Sequence, residues 1–401
     1  MTMPLCTEPL RETMTAWRRD FHAHPELGFD EHRTSEKVAE LLAGFGLEVH
    51  RGVGRTGVVG ILQRGNGEKC IGLRADMDAL PIAEINTFGH RSKNECVMHA
   101  CGHDGHTAIL LGAARYLAEN GGFDGRVVFI FQPNEEHGLG APAMLEDGLF
   151  ERFDVDEVHG MHNIPGMPVE TFATRAGPLT ASESLFEIEI TARGGHAALP
   201  HMGVDAIVVG AEMVGALQTI VSRKLDPGLN GVVSVTEFVT DGKRNVLPGR
   251  AVLKGDARAL SPDTNRTIEA RMRAIAEGIA LAHGVRATVA YDTIFPAIRN
   301  AAVPADAAAL AARALVGSDK VDGACAPKLF SEDFAHMAAA RPGCFMLMGN
   351  GVDGAHAKPL HSADYDFNDA GLTIGSSYWV ELVRRHCSPA AASKLAKGTE
   401  S

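Results

Sequence analysis

The sequence predicts an α/β protein in two parts: a mixed sheet with helices on both faces, interrupted by a smaller inserted domain. Three observations carry this expectation. Short apolar runs alternate with amphipathic stretches through the first third, the middle third switches to alternating strands around two helices, and the first pattern then resumes. The length of 401 residues also favours more than one domain.

Taken in order, residues 8–22 and 31–44 carry helical spacing of apolar positions, the second following Asp30 as its expected cap. Gly57–Leu62 and Cys70–Ala75 are apolar runs bounded by Gly or charged residues, as buried strands are. His103–Asn120 reads as a helix closed by Gly121 and Gly122. Arg126–Gln132 is a strand, 138–148 a short helix and Val155–Met161 a further strand. Ser184–Arg193 then alternates apolar and polar, as a strand with one wet face does. A helix over 204–223, strands at 231–240 and 249–258, a helix over 263–283 and a strand at 286–294 complete a βαββαβ order, the split arrangement of a ferredoxin-like unit. A helix at 304–316, a segment at 331–340, a strand at Cys344–Met348 and a final helix over 367–386 return to the first pattern. The expected division is 1–180 with 296–401 as one domain and 181–295 as the inserted satellite.

Composition narrows the function classes. A hydrophobic fraction of 45% with 22% charged residues suits a globular chain with a large core. A net charge of −12 argues against a nucleic-acid partner. No apolar run is expected to reach membrane-spanning length, and Met1 to Asp20 is mixed polar without the apolar stretch of a secretory signal. Seven scattered cysteines do not form a disulfide framework, so the expectation is a cytosolic protein with reduced thiols.

The chemistry concentrates at strand exits, where an open α/β sheet places its ligands. Met98–His106 (MHACGHDGH) offers three histidines, a cysteine and an aspartate between a loop and a helix start. Thiolate and imidazole select zinc or another late first-row metal over magnesium or calcium. Gly102 lets the backbone turn so that Cys101 and His103 converge; the bland alternative is a helix start with buried His and Cys. Asp76 and Asp78 in Arg74–Pro81 (RADMDALP) are two apart and could share a face, either on a surface turn or orienting a ligating histidine. Glu135 and Glu136 follow the most apolar strand, after Pro133 has ended it. They are a solvated acidic turn or a pair in which one carboxylate binds metal and the other moves protons. His162 and His361 are each ordinary alone; with Cys101, His103 and a glutamate they make five donors, enough for one or two ions. His196 stands on a Gly-Gly loop of the satellite, suited to reach across a cleft or merely to connect; Asn245 and Arg258 are surface residues by default. A cysteine nucleophile at Cys101 with His103 or His106 as base, and a binding protein without catalysis, are the competing readings.

With these residues in view, the chain resembles the M20 metallopeptidase family, subfamily M20D, whose members include aminoacylase-, hippurate-hydrolase- and indole-acetyl-amino-acid-hydrolase-like enzymes. The resemblance runs from Phe21–Leu27 (FHAHPEL) through RADMDALP, MHACGHDGH, the Glu-Glu turn, Gly160–Asn163 (GMHN), Gly194–His201 (GGHAALPH), Asn245–Pro248 (NVLP) and Ser331–Phe334 (SEDF) to Leu360–Ser362. It implies a zinc-peptidase-like catalytic domain and a satellite through which two copies dimerise. It also implies Cys101, His103, Glu136, His162 and His361 as ligands of one or two divalent ions (Zn, Mn, Co or Ni), the cysteine in the bridging position. Glu135 becomes the general base, Asp78 the carboxylate behind a ligand, and His196 a residue reaching the active site of its own or the partner subunit. Asn245 and Arg258 become candidates for holding the substrate's carboxylate or the developing oxyanion. The implied reaction is hydrolysis of an N-acyl amino acid, with an unusual non-peptide amide as the alternative. His137–Gly140 and Asn94–Val97 depart from the family pattern without touching an implied ligand.

Overall fold

The computed structural model describes residues 8–388; Cys6 and the start of the polar N-terminal stretch lie outside them. The described residues group into two compact units. One draws on the described part of Met1–Gly177, on Arg299–Ala326 and on the described part of His336–Ser401, the other on Pro178–Ile298 and Pro327–Ala335.

In the first unit, eight strands form one mixed sheet in the order Glu48–Val53, Gly57–Arg64, Gly125–Gln132, Cys70–Asp76, Glu157–Pro165, Gly343–Gly351, Phe172–Ala173, Val321–Asp322. The four central strands, Gly125–Gln132 through Gly343–Gly351, run parallel to one another. Their side chains are buried on both faces, which is why they read as continuous apolar runs rather than alternations. Because they are parallel, their carboxyl ends share one edge, and the loops that leave that edge lie close together. Against the sheet packs the helix His103–Asn120, buried on every side from His103 to Ala114. It lies beside Glu8–Ala23 and Gly371–His386, with Met14, Ile109, Leu110, Tyr378 and Trp379 in one continuous core. Each large side chain in that core contributes about 1.5–3 kcal/mol of transfer free energy.

The second unit holds a four-stranded antiparallel sheet in the order Gly231–Thr240, Arg250–Ala259, Ser182–Thr191, Arg286–Phe295, with helices Ala206–Thr219 and Pro262–His283 between strands. Ile188, Ile190, Met213, Leu217, Leu253, Ile268 and Met272 form its core. The second helix has unambiguous end signals: Ser261 accepts from the Thr264 amide at 3.1 Å, Pro262 opens it, and Gly284 closes it at φ 64°.

Several expectations need correction. The strand Glu48–Val53 lies outside the expected elements; it pairs with Gly57–Arg64 as a hairpin with an irregular register near Gly52. The short helix expected at 138–148 is Gly140–Glu146, and a further turn of helix not expected, Leu149–Arg152, follows it after Gly148 at φ 79°. Asp30 does not cap its helix: Glu26 accepts the amides of Arg33 and Thr34, at 3.0 and 2.8 Å. Pro327–Ala335 groups with the second unit rather than with its sequence neighbours. The Lys328 amide donates to Leu179 O at 2.8 Å and the Ala181 amide to Phe330 O at 3.2 Å. Finally, the 19 residues Ala206–Lys224 are long and apolar enough, by length and composition, to cross a membrane, with a mean hydropathy of 1.3 over an 18-residue window. The excess arises because both of its faces are apolar: Val209, Met213 and Leu217 line the core, while Ile207 and Val208 are exposed.

Candidate metal centre and active site

The five expected donors come from four segments at the carboxyl edge of the first unit's sheet, with His162 still inside the strand Glu157–Pro165 rather than just after it. Cys101 and His103 flank Gly102, whose φ of 96° turns the chain into the helix. A Cβ there would come 2.2 Å from Asn163 Oδ1 and 2.7 Å from the Tyr365 hydroxyl, so only glycine fits. Cys101 Sγ lies 3.3 Å from His162 Nε2. His162 Nδ1 donates to Asn163 O at 2.7 Å, which leaves Nε2 as the lone-pair nitrogen facing the thiol. His103 Nδ1 donates to Asp78, at 2.9 Å from its carbonyl and 3.2 Å from Oδ1, and this likewise frees Nε2. Asp78 therefore orients a candidate ligand, and its other oxygen accepts the Glu136 amide at 3.0 Å. Glu136 Oε2 is 3.4 Å from His361 Nε2. His361 itself is at φ 62°, its amide held by Ala100 O at 2.8 Å, with 53% of its side chain exposed. The site thus runs from a sealed floor at His103 to an open rim at His361.

The donor atoms fit a cation. His103 Nε2 and Glu136 Oε1 are buried, have no hydrogen-bond partner among the described residues and lie 3.9 Å apart. Buried polar atoms are seldom left so, and a shared ligand satisfies both. Cys101, His103 and His162 lie within 4.8 Å of one another by their donor atoms, as do Cys101, Glu136 and His361, and also His103, Glu135 and Glu136. Charge points the same way. Burial lowers the His103 pKa, but Asp76, Asp78 and Glu136 outweigh it and raise it to about 10, so their field draws positive charge to Nε2, a place an ion would take from the proton. Burial pushes Glu136 up to about 7 against the pull of His103 and a hydrogen bond from Cys101. His162, desolvated and beside His106, is held well below the ordinary imidazole value and stays a neutral donor. A pocket this rich in carboxylate, with sulfur and nitrogen donors, suits a late first-row divalent ion.

Glu135 is 6% exposed and sits beside Glu136 on the turn after Gly125–Gln132. Asp76, paired with Asp78 by spacing, has other partners: it accepts from Arg74 Nη1 at 2.7 Å and from His106 Nδ1 at 2.6 Å. His106 Nε2 meets Asn163 Oδ1 at 2.8 Å, and Asn163 Nδ2 donates to the Tyr365 hydroxyl at 2.6 Å. No local sequence pattern marks this chain of polar groups beneath the ligands, since Tyr365 stands in a loop.

In the second unit the structure brings His196 and Asn245 together. Val246 pairs with His196 in a short antiparallel ladder, and the Ala197 amide donates to Asn245 O at 3.1 Å. His196 is exposed, and its Nδ1 accepts from the Ala198 amide at 3.0 Å, so the proton sits on Nε2. Arg258 is engaged elsewhere, by Asp256 at 2.8 Å, Glu183 at 3.1 Å and the Ser331 hydroxyl at 2.6 Å.

Comparison with known proteins agrees with this chemistry. The family model described as peptidase family M20/M25/M40 matches residues 72–385. A hippurate hydrolase of Campylobacter jejuni is 40% identical over 92% of this chain and 95% of its own length. An N-acyl-L-amino acid amidohydrolase of Geobacillus stearothermophilus is 42% identical over 71% of this chain and 77% of its own. The crystal structure of a dinuclear metal binding peptidase of the M20 family from Bacillus subtilis superposes with a TM-score of 0.82 at 32% identity, covering 95% of this chain and 99% of that one. Thiolate, imidazole and carboxylate donors gathered at the carboxyl edge of one sheet, and relatives spanning nearly the whole chain, lead to one conclusion: the chain belongs to peptidase family M20/M25/M40.

Proposed function

We propose that the protein is a metal-dependent amidohydrolase that cleaves N-acyl amino acids to a carboxylic acid and a free amino acid. The observation that carries the proposal is the pair of partnerless buried atoms, His103 Nε2 and Glu136 Oε1, beside Glu135. The names of the relatives, hippurate hydrolase and N-acyl-L-amino acid amidohydrolase, support the substrate class. Cys101, His103, Glu136, His162 and His361 would hold one or two divalent ions, with Zn, Mn, Co and Ni the candidates. A bound ion supplies polarisation of the scissile carbonyl and a lowered pKa for attacking water. Glu135 takes the proton from that water and returns it to the leaving amine nitrogen. His196, with its proton on Nε2, is the donor for the developing oxyanion, and removing such a donor typically costs about 10²–10³ in rate. Asn245 and Arg258 are assigned to the substrate's carboxylate; the three partners Arg258 already has make it the weaker of the two.

We further infer that the second unit is a ferredoxin-like dimerisation domain. Its strand and helix order supports this, as do the exposed Ile207, Val208 and Val221 of its first helix and Phe238 and Val239 of its edge strand.

A panel of acetyl, benzoyl and indole-acetyl amino acids on metal-loaded protein tests the reaction. Activity should vanish on exhaustive chelation and return with metal, and Glu135→Gln should bind metal without turnover. Near-parent activity in that variant sinks the assignment. The 3.3 Å contact between Cys101 and His162 also fits a thiol–imidazole nucleophile. That reading requires activity to survive chelation.

A further inference from the structure

Glu31 occupies the position before the helix His32–Gly44 where a polar side chain ordinarily caps the first turn, yet it makes no cap. Glu26 does that instead. The Glu31 side chain is wholly buried and reaches away from its own helix. Oε1 accepts the Asn134 amide at 2.8 Å, and Oε2 accepts the Thr56 hydroxyl at 2.6 Å. A buried carboxylate is costly unless it is hydrogen-bonded, so these two contacts are what make the position tolerable.

Asn134 immediately precedes Glu135 and has φ 48°, in the left-handed region that Asn tolerates better than most residues. Its Oδ1 is 2.6 Å from His137 Nδ1, and its carbonyl accepts the Gly140 amide at 3.0 Å, closing the turn. Gly28 lies against it, where a Cβ would come 1.9 Å from Asn134 Oδ1. Two amides of this turn are thus held by carboxylates from elsewhere in the chain. Asp78 holds that of Glu136 on the metal side, and Glu31 holds that of Asn134 on the other. The Thr56 hydroxyl ties the same carboxylate to the hairpin between Glu48–Val53 and Gly57–Arg64.

We propose that Glu31 is a positioning residue for the general base: by holding the Asn134 amide it fixes the turn that aims Glu135. The inference rests on the assignment of Glu135 above. The Glu31 carboxylate bonds to Asn134 and Thr56 and to none of the five donors, so its loss should change turnover and leave metal content and substrate binding alone.

The test compares Glu31→Ala, Glu31→Gln and Glu31→Asp in the full chain, with kcat, KM and bound metal per subunit measured for each and Glu135→Gln run in parallel. A base displaced by about 1 Å is expected to lower kcat on the order of 10²-fold in Glu31→Ala. KM and metal equivalents should match the parent. Glu31→Gln keeps an acceptor for Asn134 and a donor for the Thr56 oxygen, so it should turn over close to the parent. Glu31→Asp keeps the charge but is a methylene short and should fall below Glu31→Gln; it carries the test if the Ala variant does not fold. Parent-like kcat in both Glu31→Ala and Glu31→Asp, or a loss of metal in proportion to the loss of activity, overturns the proposal. A folded Glu31→Gln as impaired as Glu31→Ala does so as well. If Glu135→Gln stays active, the base assignment itself has failed; if it is dead while Glu31→Ala is normal, only the present inference has.

Discussion

Replacing Gly102 with Ala should disable the site from beneath, and the structure allows the cost to be worked out. The backbone there has φ 96°, so any L-residue carries a conformational penalty of about 1–2 kcal/mol. The new Cβ would meet Asn163 Oδ1 at 2.2 Å and the Tyr365 hydroxyl at 2.7 Å. Those atoms cannot yield freely, because Asn163 Nδ2 donates to that hydroxyl and Oδ1 meets His106. Overpacking of this kind costs about 1–3 kcal/mol, and loosening one buried hydrogen bond adds about 1 kcal/mol. The sum is roughly 3–6 kcal/mol. Thermal unfolding reports it as a fall of about 2–4 °C per kcal/mol for a domain of this class. Metal titration reports the second consequence, since Cys101 and His103 must diverge for the methyl to fit. A Gly102→Ala variant with the parent's Tm and metal affinity would show that the tight cradle behind the ligands is not real.

Three other outcomes follow from the same coordinates. Glu157 binds His386 Nδ1 at 3.0 Å and His159 Nε2 at 2.9 Å, tying the last helix to the sheet. Burial lowers the His386 pKa, but Glu157 and Asp156 outweigh it and raise it, so its contribution is present below the ordinary value near 6.5 and lost as pH rises through the raised one. Burial raises the Glu157 pKa, but the two histidines hold it below the ordinary value near 4.3, so its contribution is present above that value and lost in acid. The stability gap between parent and Glu157→Gln should therefore be widest at roughly pH 5–6 in denaturant unfolding; a gap independent of pH refutes the coupling. Saturating metal should raise the unfolding free energy of the first unit by about 4 kcal/mol at a thousandfold excess over Kd, and an unchanged melting curve would count against the five donors. Tyr365→Phe removes the partner of Asn163 Nδ2 and should cost about 1 kcal/mol or somewhat more, with weaker metal binding by titration; unaltered affinity would limit Tyr365 to packing.

How much of this was legible in sequence depended on how local each signal was. Cys101, His103, Glu135 and Glu136 lie in short motifs directly after strands, so residue type and position sufficed. The helix His103–Asn120 announced its end through Gly121. Glu31 was unreadable: its partners lie 103 and 25 residues away, and its own position resembles a helix cap. The strands Phe172–Ala173 and Val321–Asp322 are two residues each, too short for alternation to register. Asp76 and Asp78 show a different limit. Spacing suggested a shared face, and both carboxylates do flank His103, but the strand ends at Asp76 and spacing alone did not show that Asp76 also takes His106.

The return of Pro327–Ala335 to the second unit bears on any attempt to produce that unit alone. A contiguous fragment of residues 178–298 would arrive with an open seam: the Leu179 carbonyl and the Ala181 amide would lose Lys328 and Phe330. Arg258 would keep Glu183 and Asp256 but not the Ser331 hydroxyl. An isolated second unit should therefore carry both stretches, and a fragment cut only at the outer borders of the insertion should unfold at lower denaturant than one to which 327–335 is joined.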